Sequence, residues 1–156
     1  QWRQSFCHDG YSMSRPTGFR ELERQLSEVI GFRLFTVLQV DLPEVVRLYS
    51  SNHEAYPVTG RKLMGPTPWG AHVIIEGQPW LGYNAADLKW AFPDHALITS
   101  LGCGSCLSIP VRENDQTLGT LNILDAEGRY SQDDLICANA YATSVIPMLK
   151  CVQQTP

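Results

Sequence analysis

Apolar positions recur along the chain with two periods, and the switches between them lay out the elements. Phe19, Leu22, Leu26, Val29 and Ile30 fall at helical spacing. Ser14, Arg15, Pro16 and Thr17 offer a Ser cap and a first-turn proline for that helix, and Gly31 stops it. Arg20, Glu21, Glu23, Arg24, Gln25 and Glu28 form its solvated face. Residues 32–41, FRLFTVLQVD, are β-branched, aromatic and apolar on both faces, which predicts a central strand. After a turn at Leu42 and Pro43, residues 45–51 alternate, with Val46 and Leu48 on one face and Arg47 and Tyr49 on the other. A polar loop over 52–62 follows.

Thr67, Pro68 and Trp69 open a second helix that runs to Ile75 and closes at Gly77. Residues 79–82 predict a short edge strand, and residues 85–92 and 94–101 predict two short helices separated by Pro93. A connection of about twenty residues is long for a plain link, and such insertions usually carry function. Residues 105–111 and 117–124 form a hairpin around Glu113, Asn114, Asp115 and Gln116. Leu107, Ile109 and Val111 should face one layer, and Leu118, Thr120, Asn122 and Leu124 should share one side of the partner strand. Ser131 and Asp134 then start a helix as a capping box. Leu135, Ala138, Ala142, Val145, Leu149 and Val152 continue it as a heptad-like seam, kinked at Pro147. The order predicts an α+β layer architecture: antiparallel strands with the terminal helices on one face.

Composition narrows the function classes. A chain of 156 residues reads as one domain, with 1–13 an N-terminal extension, 14–152 the domain and 153–156 a tail. The net charge of −4 is spread without a basic block, so no nucleic-acid partner is expected. No apolar run approaches the roughly 20 residues of a membrane span, so no membrane partner is expected. The N-terminus lacks the apolar core of a secretory signal. Five cysteines is an odd number and not a disulfide scaffold, so the expectation is mostly free thiols in a reducing, cytoplasmic setting.

Candidate chemistry concentrates in residues 92–124. Cys103 and Cys106 form a C-x-x-C, but a strand follows them rather than the helix N-terminus that lowers a thiol pKa. A structural zinc would need two further ligands, and none is near in sequence. Cys103, in the loop, is then the thiol placed to face a pocket. His95 lies beside Trp90 and Phe92 as a candidate donor, whereas His72 reads as helix structure. Trp69, Trp80, Tyr83, Trp90 and Phe92 crowd one region; they either pack a core and lid or line a pocket, with Asp87, His95, Ser105 and Asn122 as polar partners. Asn122 interrupts an apolar strand, and a buried amide left unpaired costs about 1–3 kcal/mol, so it needs backbone, water or ligand. No G-x-S-x-G and no phosphate-binding loop occurs.

Three segments carry a resemblance: FRLFTVLQVD, GPTPWGAHVIIEGQPWL and SCLSIPVRENDQTLGTLNILDAEGRYSQDDL. The third is similar to the S-x-x-x-x-P-[IV] strand, hairpin, [LI]-G-x-[LI] strand and aromatic-[ST]-x-x-[DE] helix entry of the GAF domain. Over residues 15–150 the chain resembles that family. The resemblance implies a central antiparallel sheet of five to six strands, terminal helices on one face, and a loop-covered pocket on the other. In that family the pocket binds cyclic nucleotides, tetrapyrroles, haem, nitrate or 2-oxo acids, and the terminal helices pair in dimers. The implied function is a stand-alone, small-molecule-binding sensory or regulatory domain, homodimeric through helices 19–30 and 135–152. The expected ligand-binding set is Trp69, Trp80, Tyr83, Asp87, Phe92, His95, Cys103, Ser105 and Asn122, with no metal and no cofactor identified. His95, Cys103, Ser105 and Asn122 should converge on the ligand.

The alternative is a thiol-dependent reductase or lyase/isomerase using Cys103 and His95. Phe92, Pro93, Asp94 and His95 match an F-P-x-H element of the free methionine-(R)-sulfoxide reductase branch. Where that branch has its catalytic cysteines this chain has Leu97 and Ile98, and Met64 to Thr67. The N-K-F-D-E motif of cyclic-nucleotide members is absent, and the one Cys-His pair, Cys7 and His8, lies outside the domain.

Overall fold

The computed structural model describes residues 14–153. The expected extension over 1–13, with Cys7 and His8, and most of the expected tail lie outside the described residues. Helix α1 (Phe19–Val29) buries Leu22, Leu26 and Val29. It begins later than the Ser14 cap predicts. Gly18 is its N-cap, with no side-chain bond, and the Ser14 carbonyl instead accepts from Gln25 Nε2 at 2.7 Å. Arg15 precedes a proline, which disfavours helical backbone there.

Strands β1 (Leu34–Asp41), β2 (Glu44–Ser50), β3 (Lys62–Leu63), β4 (Trp80–Gly82), β5 (Ser105–Glu113) and β6 (Gln116–Asp125) form one sheet in the order β3-β2-β1-β6-β5-β4. Every neighbouring pair is antiparallel. β1 is internal, as its two apolar faces require. β3 emerges from the end of the expected polar loop and pairs Leu63 with Glu44. The β5–β6 hairpin turns at Asn114 and Asp115, with φ of 53° and 63°. These are the left-handed conformations a two-residue turn demands, and Asn and Asp tolerate them.

One sheet face carries the main core. Phe35, Val37, Leu107, Ile109, Val111, Leu121 and Ile123 pack there against Leu22 and Leu26 of α1 and against Leu135, Ala138, Val145 and Leu149. Each of the Val, Leu, Ile and Phe side chains contributes about 1.5–3 kcal/mol on full burial. The last four residues belong to α5 (Gln132–Asn139) and α6 (Ala142–Gln153), which are two helices rather than the single one predicted. The break lies at Ala140 and Tyr141, not at Pro147, and bends the pair by 49°. Backbone bonding there tightens, with Ala140 N–H to Cys137 O and Tyr141 N–H to Ala138 O, while Pro147 sits inside α6. The capping box forms as expected, with Ser131 and Asp134 exchanging bonds.

Two bulges overturn the simple alternation. In β2 the pairing jumps from Val37↔Tyr49 to Leu38↔Arg47, which leaves Leu48 as the extra residue. Tyr49 therefore turns to the helix face, packed on Phe35 and Phe19, and Arg47 to the opposite face. In β6 the pairing jumps from Val111↔Gly119 to Arg112↔Thr117, and Leu118 joins the helix-side core rather than the side of Thr120, Asn122 and Leu124.

Cys103 and Cys106 are buried free thiols, as expected, but Cys137 is disulfide-bonded. No single helix among the described residues is long and apolar enough to cross a membrane.

Candidate functional site

The second sheet face is partitioned. One cluster, Leu34, Tyr56, Leu88, Ile98, Cys103, Cys106 and Leu124, covers one end. Another, Val40, Val45, Trp69, Val73, Ile74 and Ala91, covers the other. Between them the register aligns a polar row across four strands: Ser50, Thr36, Asn122 and Ser108, with Trp80 beyond. Above this row lie two connections. Helix α2 (Pro68–Gly70), capped by Thr67, widens into a π-helical turn over Ala71–Ile75. Helices α3 (Ala85–Ala91) and α4 (His95–Ser100) follow β4.

Sheet and connections frame an open-mouthed cavity of about 290 Å³. Its floor is Thr36, Leu38 and Asn122, its roof Met64, Thr67, Trp69, Ile74, Ala91, Phe92 and Pro93, and one side Arg47, Tyr56 and Asp94, with Lys62 also lining it. Trp69 and Phe92 meet at 5.3 Å between ring centroids, tilted by 56°.

Two polar systems are built into it. Trp69 Nε1 donates to Ser108 Oγ at 3.1 Å, and Ser108 Oγ donates to Asn122 Oδ1 at 2.7 Å. An indole N–H can only donate, so Ser108 accepts from it and sends its single proton to its best acceptor, the amide oxygen. That orients Asn122 with its NH2 group toward the cavity, where it has no partner among the described residues.

The second system is Arg47, Tyr56 and Asp94. Tyr56 Oη donates to Asp94 Oδ2 at 2.6 Å, and Arg47 Nη2 lies 3.5 Å from the same oxygen. The Arg47 guanidinium carbon stands 3.8 Å over the Tyr56 ring, and Nη1 donates to Pro57 O at 2.7 Å. Asp94 is the N-cap of α4 but makes no cap bond, because its carboxylate is turned to these two side chains. Burial and the Asp94 hydrogen bond push the Tyr56 pKa up, so its hydroxyl stays a donor.

Of the nine residues expected to bind ligand, Trp69, Phe92 and Asn122 line this cavity. Trp80 packs behind Phe92 and stacks on Trp90 at 5.7 Å. Tyr83 is exposed, and Asp87 accepts from its backbone N–H at 2.8 Å at the start of α3. His95 opens α4, next to Asp94 and outside the lining. Ser105 is fully buried and donates to the Ala126 carbonyl at 2.8 Å. Cys103 is buried in the cluster with Cys106, and burial pushes their thiols up to about 11 and about 12. His95, Cys103 and Ser105 thus do not join Asn122 at this cavity. The sequence reading missed Thr36, Arg47, Tyr56 and Asp94. Thr36 and Asn122 interrupt neighbouring apolar strands, and that shared interruption was the available signal.

A wider groove of about 970 Å³ lies where Asp41, Leu42, Arg61, Arg112 and Val152 meet. Its arginines are already engaged: Arg61 by Asp41 and Glu44, Arg112 by Thr117 and the Asp115 carbonyl. The smaller cavity, with Trp69 and Phe92 in its wall and the unpartnered Asn122 amide in its floor, is the better candidate site. Among the described residues no group of three or more His, Cys, Asp or Glu is arranged to hold a metal ion.

The fold has many solved relatives. The GAF domain of a two-component sensor histidine kinase from Bacillus halodurans superposes with a TM-score of 0.71 at 14% identity, over 86% of this chain and 92% of that one. A GAF domain/HD domain protein from Geobacter sulfurreducens gives 0.70 at 11% identity, over 88% and 93%. The type II free methionine-R-sulfoxide reductase from Thermoplasma acidophilum gives 0.65 at 12% identity, over 94% of each chain. No curated protein matches the sequence. The GAF domain family matches residues 11–145, and with the six-stranded antiparallel sheet and its helices this shows that the chain belongs to the GAF domain family.

Proposed function

We propose that this GAF domain is a sensory or regulatory module that binds a small molecule between the sheet and the α2–α4 connections. The observation that carries this reading is the cavity over Thr36 and Asn122. It is walled by aromatics, and its lining includes the Asn122 NH2 group and part of the Arg47 guanidinium, whose donors the protein leaves unused. Small-molecule sites share that character: mostly apolar, with a few placed polar groups. What favours binding over thiol catalysis is the state of Cys103. Its thiol is buried and shifted up, whereas a nucleophilic cysteine needs a lowered pKa.

The assembly that goes with this reading is a homodimer through the terminal helices. Leu135, Ala138, Val145 and Leu149 face the chain's own sheet. The pairing surface would therefore use the outer side of α5 and α6, where Ile136 is exposed. Light scattering on the chain and on Ile136→Glu tests this; a monomer at every concentration removes it.

The binding reading is tested by a native mass spectrum of freshly purified protein and by thermal shifts with a panel of small metabolites. The expected result is a mass adduct, or at least one compound that raises the melting temperature of the chain but not of Asn122→Leu. A panel without effect, together with a bare native mass, removes the reading.

A further inference from the structure

We infer that the cavity takes a small monoanion, a carboxylate or comparable oxyanion on a flat apolar body, held by Arg47 and Asn122. The inference rests on the binding reading above and adds the ligand's charge class. Arg47 carries five N–H donors, and the protein engages only a part of them. Nη1 reaches Pro57 O, and Nη2 faces Asp94 at 3.5 Å, longer than a good charge-assisted bond. The Tyr56 ring covers one face of the guanidinium, and its side chain is only 11% exposed. A guanidinium held on one face and one edge, with donors left over, is prepared for a planar oxyanion.

Asn122 points the same way. Its oxygen is taken by Ser108, so it offers the cavity only donors. The charge balance agrees as well. The charged residues lining the cavity are Arg47, Asp94 and the exposed Lys62, so basic groups outnumber acidic ones by one. A second negative charge would add to the repulsion from Asp94, and a cation would meet Arg47. Leu38, Met64, Trp69 and Phe92 supply the apolar surround. The volume of about 290 Å³ equals about ten waters' share of liquid, room for one ring and its substituent.

Benzoate, benzamide and benzylamine share a ring and differ in charge at neutral pH, so they are the probes. Calorimetric titration at constant ionic strength should show benzoate binding and the other two weaker by roughly tenfold or more. Arg47→Gln should weaken benzoate by a similar factor, with Arg47→Lys intermediate. Asn122→Asp keeps an acceptor for Ser108, and with it the fold, but replaces two donors by a negative charge; it should also weaken benzoate roughly tenfold or more. Melting curves check that each variant is folded. Benzamide or benzylamine binding as tightly as benzoate overturns the anion inference and leaves the cavity as a binding site. Benzoate binding untouched by Arg47→Gln and Asn122→Asp overturns it too. No binding by any of the three also overturns it, and the wider metabolite panel then decides the binding reading separately.

Discussion

Tyr56 Oη donates a 2.6 Å hydrogen bond to Asp94 Oδ2, tying the loop after β2 to the N-cap residue of the lid helix α4. The bond spans 38 residues of sequence and uses a carboxylate that would otherwise cap its own helix. Tyr56→Phe removes the hydroxyl and keeps the ring under Arg47. It should cost about 1–2 kcal/mol, the range of a hydrogen bond to a partly exposed charged group. The urea midpoint reads that loss. Amide exchange over residues 95–100 should rise in the same variant, and unchanged exchange there would show that the bond does not hold the lid.

Ser108 is the hinge of the other polar system, since it serves Trp69 on one side and Asn122 on the other. Ser108→Ala strands both: a buried indole N–H and a part-buried amide oxygen lose their partner. The expected cost is about 1–3 kcal/mol for groups left unsatisfied. Trp69 emission should shift as its N–H partner is lost. With the amide no longer held by Ser108, ligand affinity should fall as well. Stability falling with affinity intact would confine the relay to a structural role.

The contrast between Asn122 and Arg47 shows what was legible in the sequence. Asn122 stood out because an amide inside an apolar strand demands a partner wherever the strand lies. Arg47 did not, because strict alternation put it on the face of Tyr49. The extra residue Leu48 re-aims it, and no periodicity announces a bulge. Asp94 was hidden for a similar reason: before a short helix an Asp reads as a cap, and only the tertiary fold brings Tyr56 and Arg47 to it. Ser105 was misplaced in the other direction. A hydroxyl near a turn looks available, yet the fully buried Ser105 is satisfied by the Ala126 carbonyl. The fold was far more readable, because α1, the β5–β6 hairpin and the Ser131–Asp134 box are each specified by neighbours in sequence. The break between α5 and α6 escaped, since proline was the visible breaker and the tight turn at Tyr141 was not.

The buried thiols make an alkaline prediction. Burial favours the neutral form, first for Cys103 and more strongly for Cys106, moving them from an ordinary 9.0 to about 11 and about 12. Above pH 9 the unfolded chain has released protons that the folded chain still holds. Stability from this source is therefore complete below about pH 9 and lost progressively as pH rises toward the folded values. Tyr56 and Tyr130, raised by burial from 10.0, act in the same direction at higher pH. The melting temperature should fall steadily from pH 9 to 11. At pH 8 a thiol of pKa about 11 is ionised in about one molecule per thousand. Iodoacetamide should accordingly label Cys103 and Cys106 slowly in the native protein and rapidly in urea. Fast native labelling of Cys103 would revive the thiol-enzyme alternative.

At Gly119 α6 packs close on the sheet, with Leu149 against the glycine. It pairs with Gln39 and Val111 beside the Leu118 bulge. A Cβ there would overlap the Leu38 carbonyl oxygen and come within 2.8 Å of Leu149 Cδ1. Gly119→Ala should therefore destabilise by about 1–3 kcal/mol through overpacking. Leu149 is fully buried, and Leu149→Ala alone should cost about 2–5 kcal/mol. The two changes touch the same space, so the double variant should be more stable than the sum of the two losses implies, by about 0.5–3 kcal/mol. Relief cannot be complete, because the Leu38 carbonyl is backbone and stays. A double-mutant cycle in urea measures the difference. Strict additivity would mean that the strain of Gly119→Ala falls on β1 alone, and that the position of α6 on the sheet is set elsewhere.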